Sequence, residues 1–217
     1  MFRWTSKIIN MKYFTVYINE KLKITKDILK QNKYNYHPKT REELKELVKK
    51  LISERGNEAD LNDIDTSKIT NMSDLFVFNE FNGDISLWNV SNVTDMTRMF
   101  YECKNFNCDL SEWDVKKVEN MTYMFVNCKN FEGNGLKYWK TNNLINTTGT
   151  FKDCIKFNED ISGWDMSEVS SVTEMFYNCE NFDKDISDWD LKSVKEFKGV
   201  FFKCLKLAPD HKPKFNK

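Results

Sequence analysis

Five tryptophans constrain this chain more than any other feature. Trp88, Trp113, Trp139, Trp164 and Trp189 are separated by 25, 26, 25 and 25 residues. Phe100, Phe125, Phe151, Phe176 and Phe201 follow them at a distance of 12, and Cys103, Cys128, Cys154, Cys179 and Cys204 at a distance of 15. Chance does not hold three residue types in one register over five copies. A sixth copy precedes these in weaker lettering: Ile64 stands in the Trp position, Phe76 keeps the Phe, and Asn79 replaces the Cys. Such a chain cannot bury its apolar face within one repeat and must stack its repeats to make a core. One residue is missing between Phe76 and Phe81, and one is added between Phe131 and Trp139. Both changes fall just before the Trp, where a stacked array best tolerates a changed loop.

A period between 20 and 29 is that of leucine-rich-repeat solenoids. The expected fold is therefore α/β: a curved leucine-rich-repeat solenoid of six coils over residues 60–207. Apolar positions recur roughly every three residues, as in Val90, Val93, Met96, Met99 with Phe100, Cys103 and Phe106. Neither a period of 2 nor one of 3.6 fits the whole repeat, which suits a short strand, a turn and a short helix. The strand falls at Val93–Met96, or in a competing placement at Ile85–Val90, with one or two helical turns over Thr97–Lys104. Residues 40–54, TREELKELVKKLISE, make an amphipathic helix. Thr40 and Glu43 form its capping box, and Leu44, Leu47, Val48, Leu51 and Ile52 its apolar stripe. With its lead-in to residue 59, this helix is expected to cap the array. Residues 1–39 form an N-terminal extension with a strand at 12–24, and 208–217 a flexible Lys-rich tail.

Charge is unevenly spread. Residues 1–56 hold 14 Lys/Arg against 6 Asp/Glu, a net of +8, and residues 57–207 hold 16 against 26, a net of −10. An acidic array repels nucleic-acid phosphates and attracts basic partners. Only the basic N-terminal lysines, such as Lys21, Lys23, Lys26, Lys30 and Lys33, suit contact with nucleic acid. No run approaches the 18 apolar residues of a membrane span. Lys7, Asn10, Lys12, Tyr13 and Asn19 interrupt every apolar stretch a secretory leader would need. The chain as written is expected in the cytoplasm, or at the cell surface if a leader precedes it.

The sequence offers little to catalysis. There are two histidines, His37 and His211, and no phosphate-binding loop, nucleophile elbow or zincin motif. Zinc sites need close Cys pairs, and the nearest pair, Cys103 and Cys108, has the wrong spacing. The Cys row reads as a reduced ladder facing the core, and the Trp row as packing with each indole N–H on a carbonyl or water. Two Asp rows, Asp84, Asp109, Asp160, Asp185 and Asp65, Asp114, Asp165, Asp190, lack the Gly-rich loop of calcium solenoids and suit turns. N-x-[ST] triplets stand at Asn71, Asn120 and Asn146, and Asn71 and Asn120, which occupy a repeat position, likewise suit turns. No cofactor, metal site or catalytic residue is expected.

The unit D-I-S-x-W-D-V-S-x-V-T-x-M-x-x-M-F-x-x-C-x-x-F resembles the BspA-like leucine-rich repeat of bacterial surface proteins, found in mycoplasmas, spirochaetes, fusobacteria and some phages or other mobile elements. The resemblance spans about residues 60–207 and implies a solenoid that binds macromolecules, often as an adhesin or lipoprotein. The expected function is a non-enzymatic protein-binding module. Alternatives are a phage or mobile-element inhibitor of a nucleic-acid-handling defence enzyme, and a surface adhesin or lipoprotein lacking its leader. If Val93–Met96 is the strand, the position six after Trp points outward. That row, Thr70, Thr94, Glu119, Ile145, Ser170 and Lys195, is the candidate partner-binding face. Asp95, Asn120, Asn146 and Glu196 of the neighbouring row belong to it.

Overall fold

The computed structural model describes residues 34–215. The chain divides into two parts, Met1–Tyr36 and His37–Lys217. The strand expected at residues 12–24 and the basic lysines Lys21 to Lys33 lie outside the described residues.

Helix α1 spans Arg41–Arg55. Thr40 Oγ1 accepts the Glu43 amide at 3.2 Å, and Glu43 Oε2 accepts the Lys39 amide at 2.7 Å, satisfying amides that a helix start leaves open. Gly56, with φ +89°, ends it and returns its N–H to the Ile52 carbonyl. Leu44, Val48, Leu51 and Ile52 are buried, while Leu47 is half-buried. Both ends of α1 are tied to the first repeat. Arg41 Nε donates to the Ser73 carbonyl at 2.7 Å, and Arg55 pairs with Asp63 at 2.9 Å.

The repeats correct the expected fold class. They contain neither the strand nor the short helix of an α/β leucine-rich-repeat solenoid. Among the described residues α1 is the only α-helix, accompanied by two 3-10 turns, Leu136–Tyr138 and Pro209–His211. The parallel pairings among the described residues include isolated bridges of Asp60 with Asp84 and along the row Asn71, Asp95, Asn120, Asn146, Ser171 and Glu196. Most of the chain is a succession of turns.

The cause lies in how successive amides are spent. In the second repeat the amides of Met96, Arg98, Phe100 and Glu102 donate forward, to the carbonyls of Asn120, Thr122, Met124 and Val126 in the third. The intervening amides of Met99, Tyr101 and Cys103 turn back onto the carbonyls of Met96, Arg98 and Phe100. These i→i−3 bonds curl the chain between the forward ones, so it neither extends into a strand nor closes the i→i−4 ladder of an α-helix. Two residues per repeat adopt positive φ to allow this. They stand 10 and 14 after the Trp register: Arg98 and Glu102, Tyr123 and Asn127, Gly149 and Asp153, Glu174 and Asn178.

Three side-chain columns run through the stack. Phe76, Phe100, Phe125, Phe151, Phe176 and Phe201 stack with centroids 5.3–5.8 Å apart. Each of the first five packs on a second ring of its own repeat, as Phe100 does on Phe106 at 4.0 Å. The Trp row forms as expected. Trp88, Trp113, Trp139, Trp164 and Trp189 donate their indole N–H to the carbonyls of Leu61, Ile85, Leu110, Leu136 and Ile161, the same position one repeat back.

The Cys row is a third column. Cys103, Cys128, Cys154, Cys179 and Cys204 are free and buried, and their thiols donate to the carbonyls of Phe76, Phe100, Phe125, Phe151 and Phe176 at 2.7–3.0 Å. Burial pushes the Cys103 thiol up to about 12 and Cys204 up to about 11. Alkylation needs a thiolate and access. Iodoacetamide on the native protein should therefore label only half-exposed Cys108, slowly, with all six cysteines labelled once denaturant is added; intact-mass spectrometry checks this.

Residues 208–215, expected as a flexible tail, return to the last repeat. Phe215 stacks on Phe197 at 4.6 Å and packs against Phe201 at 6.4 Å, and the His211 carbonyl accepts the Ile186 amide.

Candidate binding face

The turn chemistry decides which side chains are left to meet a partner. Asp84, Asp109, Asp160 and Asp185 each accept the amide two residues on, at 2.9–3.0 Å. Asp65, Asp114, Asp165 and Asp190 do the same at 3.0–3.3 Å. At Asp160 and Asp165 the hydroxyl and amide of the following serine hold the carboxyl below its ordinary value. At Asp65 burial opposes the charge, and the Ser67 and His37 hydrogen bonds outweigh it. These acidic rows are parts of the fold.

The sequence-predicted row six after Trp does point outward. Thr70, Glu119, Ile145 and Lys195 are exposed, and Thr94 and Ser170 half-buried. Its backbone holds repeats together: the amides of Thr94, Glu119, Ile145, Ser170 and Lys195 each donate to the residue of the same row one repeat back, at 2.8 Å. The neighbouring row divides. Asp95, Asn120 and Asn146 turn their Oδ1 onto the amides of Thr97, Thr122 and Thr148 at 2.9 Å, and Asn71 does so onto Ser73 at 2.8 Å. Only Glu196 stands exposed. The two rows thus share little free chemistry beyond single exposed side chains.

A denser set lies at offsets 10 and 13, flanking the inward Met–Phe pair. There Arg98, Tyr101, Tyr123, Lys152 and Tyr177 are part-exposed, and Phe78, 14 after Ile64, joins them. Phe78, Arg98, Tyr101, Tyr123, Val126 and Lys152 line one open groove. Phe78 is 70% exposed and meets Tyr101 edge-on at 5.6 Å. The Arg98 guanidinium lies over the Tyr101 ring at 4.8 Å, with its Nε 3.3 Å from Asp74 Oδ1. Tyr123 lies so close over Gly149 that a Cβ there would fall 2.4 Å from the ring. Lys152 Nζ sits 4.8 Å from the Tyr177 centroid and bonds Glu174 Oε2 at 2.7 Å, which raises its pKa. Tyr177 in turn stacks on Phe202 at 4.8 Å.

The result is a strip of aromatic rings crossed by two cations, each steadied by a carboxylate. Rings and guanidinium groups held this way contribute large contact area at little entropic cost, and cation–π contacts are worth about 0.5–1 kcal/mol when exposed. Sequence reasoning passed over this strip because it took the row six after Trp as the outward face. The signal present was aromatic or cationic lettering at offsets 10 and 13: Arg98 and Tyr101, Tyr123, Lys152, Tyr177 and Phe202.

No group of three or more His, Cys, Asp or Glu side chains suited to a metal ion occurs among the described residues. No helix among them is long and apolar enough to cross a membrane. The family described as "Mycoplasma protein of unknown function, DUF285" matches residues 42–138 and 124–213, and the chain belongs to it. No curated protein and no solved structure matches the chain.

Proposed function

We propose that this member of the family is a non-enzymatic macromolecule-binding module that takes a protein partner on its aromatic–cation strip. The observation that carries the reading is the alignment of Phe78, Tyr101, Tyr123 and Tyr177 with Arg98 and Lys152 across successive repeats. Exposed rings and an arginine clustered in one groove are the residue types that dominate protein–protein hot spots. The cytoplasm is the compartment that fits, because its reducing poise keeps six free thiols as thiols.

Affinity capture from the native host tests this with the full chain as bait. The partner retained by the native protein should be lost, by about tenfold or more in affinity, when Tyr101→Ala and Tyr177→Ala are combined. Glu119→Lys with Lys195→Glu, in the offset-six row, should leave capture unchanged. Equal denaturation midpoints show that both variants fold. Capture that survives the tyrosine pair but fails with the charge pair would move the site to the other row.

A further inference from the structure

The forward-donating amides end in an unfilled edge. In every repeat but the last, four amides reach the next repeat. The sets are Met72, Asp74, Phe76, Phe78; Met96, Arg98, Phe100, Glu102; Met121, Tyr123, Phe125, Asn127; Thr147, Gly149, Phe151, Asp153; and Val172, Glu174, Phe176, Asn178, all at 2.7–3.1 Å. Their counterparts in the last repeat are Phe197, Gly199, Phe201 and Lys203. Among the described residues none of these four amides has an acceptor. The returning segment covers the aromatic column with Phe215 but supplies no carbonyl to the amides. Gly199 and Lys203 keep the positive φ, +67° and +58°, that aims this edge in the other repeats.

Four open donors on alternate residues specify an occupant: a segment with carbonyls at the same spacing, added edge to edge. The flanking side chains specify its charge. Lys195, Lys198 and Lys203 are exposed along the edge with Glu196, and Glu174, which lies against Gly199, has its carboxylate on Lys152. Phe202 and Leu205, 51% and 75% exposed, add apolar surface beside them. We infer that the Phe197–Lys203 edge docks an extended acidic segment of a partner protein, laid on as one more strip of the stack. This site uses backbone amides of the terminal edge and shares only Phe202 with the aromatic–cation strip.

The test is amide hydrogen exchange on the isotope-labelled full chain, with a synthetic peptide as probe. The peptide copies residues 166–181 with Cys179→Ser. It carries Glu168, Glu174 and Glu180 and the carbonyls of Ser171, Thr173, Met175 and Tyr177, which accept forward amides in the stack. In the free chain the four edge amides should exchange far faster than Val172, Glu174, Phe176 and Asn178. Excess peptide should slow them about tenfold or more, a scrambled peptide of equal composition should not, and Lys198→Glu with Lys203→Glu should weaken the effect. The inference is overturned if the four amides are already protected in the free chain. It also falls if the peptide leaves them unchanged, if the scrambled peptide protects them equally, or if the charge reversals make no difference.

Discussion

Replacing Phe125 with alanine should lower the unfolding free energy by about 3–5 kcal/mol. The ring is fully buried and lies between Phe100 at 5.4 Å and Phe151 at 5.8 Å, with Phe131 against it at 4.3 Å. Truncation removes the transfer free energy of the ring and leaves a cavity between two repeats. The neighbours cannot close it, because four backbone hydrogen bonds on each side fix the spacing. Each repeat is stabilised chiefly by its neighbours, so the loss weakens two interfaces at once. Phe202→Ala is the control: its ring is 51% exposed, and a loss within about 1 kcal/mol is expected. Urea denaturation followed by tryptophan fluorescence measures both. A loss below about 1 kcal/mol at Phe125 would mean that the aromatic column does not carry the stack.

Gly135→Ala should cost about 2–4 kcal/mol, from left-handed backbone strain and overpacking together. Gly135 has φ +89°, and a Cβ there would fall 2.3 Å from the Ser111 amide nitrogen and 2.6 Å from its Cα. Those are backbone atoms of the preceding repeat, and they cannot swing aside as a side chain can. The position lies where the third Trp-bearing repeat has its extra residue, taken up by the 3-10 turn Leu136–Tyr138. It also explains why Gly135 interrupts an Asp row. Gly163→Ala is the matched comparison: nothing lies within 4 Å of a Cβ there, and φ is not positive. That change should be neutral or stabilising by up to about 1 kcal/mol. Equal denaturation midpoints for the two variants would contradict the close approach of the repeats at Gly135.

Much of the stacking was legible in the sequence, and the local backbone was not. Trp, Phe and Cys in fixed register announce columns because only like-on-like stacking rewards identical spacing. The Asp and Asn rows announce turns because their side chains can accept an amide two residues on. The backbone between them was hidden for a stereochemical reason. Positive φ is usually read from glycine, yet in the row ten after the Trp register it is adopted by Asp74, Arg98, Tyr123 and Glu174, with glycine at Gly149 and Gly199 alone. The stack supplies what the residue type does not, since the amides of Asp74, Arg98, Tyr123 and Glu174 each have a forward acceptor in the next repeat. Without that information Thr97–Lys104 reads as helix and Val93–Met96 as strand. The aromatic–cation strip was hidden for the same reason. A residue's side is known only when the turn is known, and Arg98 and Tyr101 fall in Thr97–Lys104, which reads as a helix that does not form.

Site-specific photocross-linking tests most directly whether the aromatic–cation strip is where a partner sits. A photoreactive phenylalanine analogue is placed singly at Tyr101, Tyr177, Glu119 or Lys195 of the full chain, and each protein is irradiated with the captured partner. Adducts at Tyr101 and Tyr177, with little or none at Glu119 and Lys195, are the expected result. Adducts confined to Glu119 and Lys195 would contradict the assignment and return the binding face to the row six residues after the tryptophans.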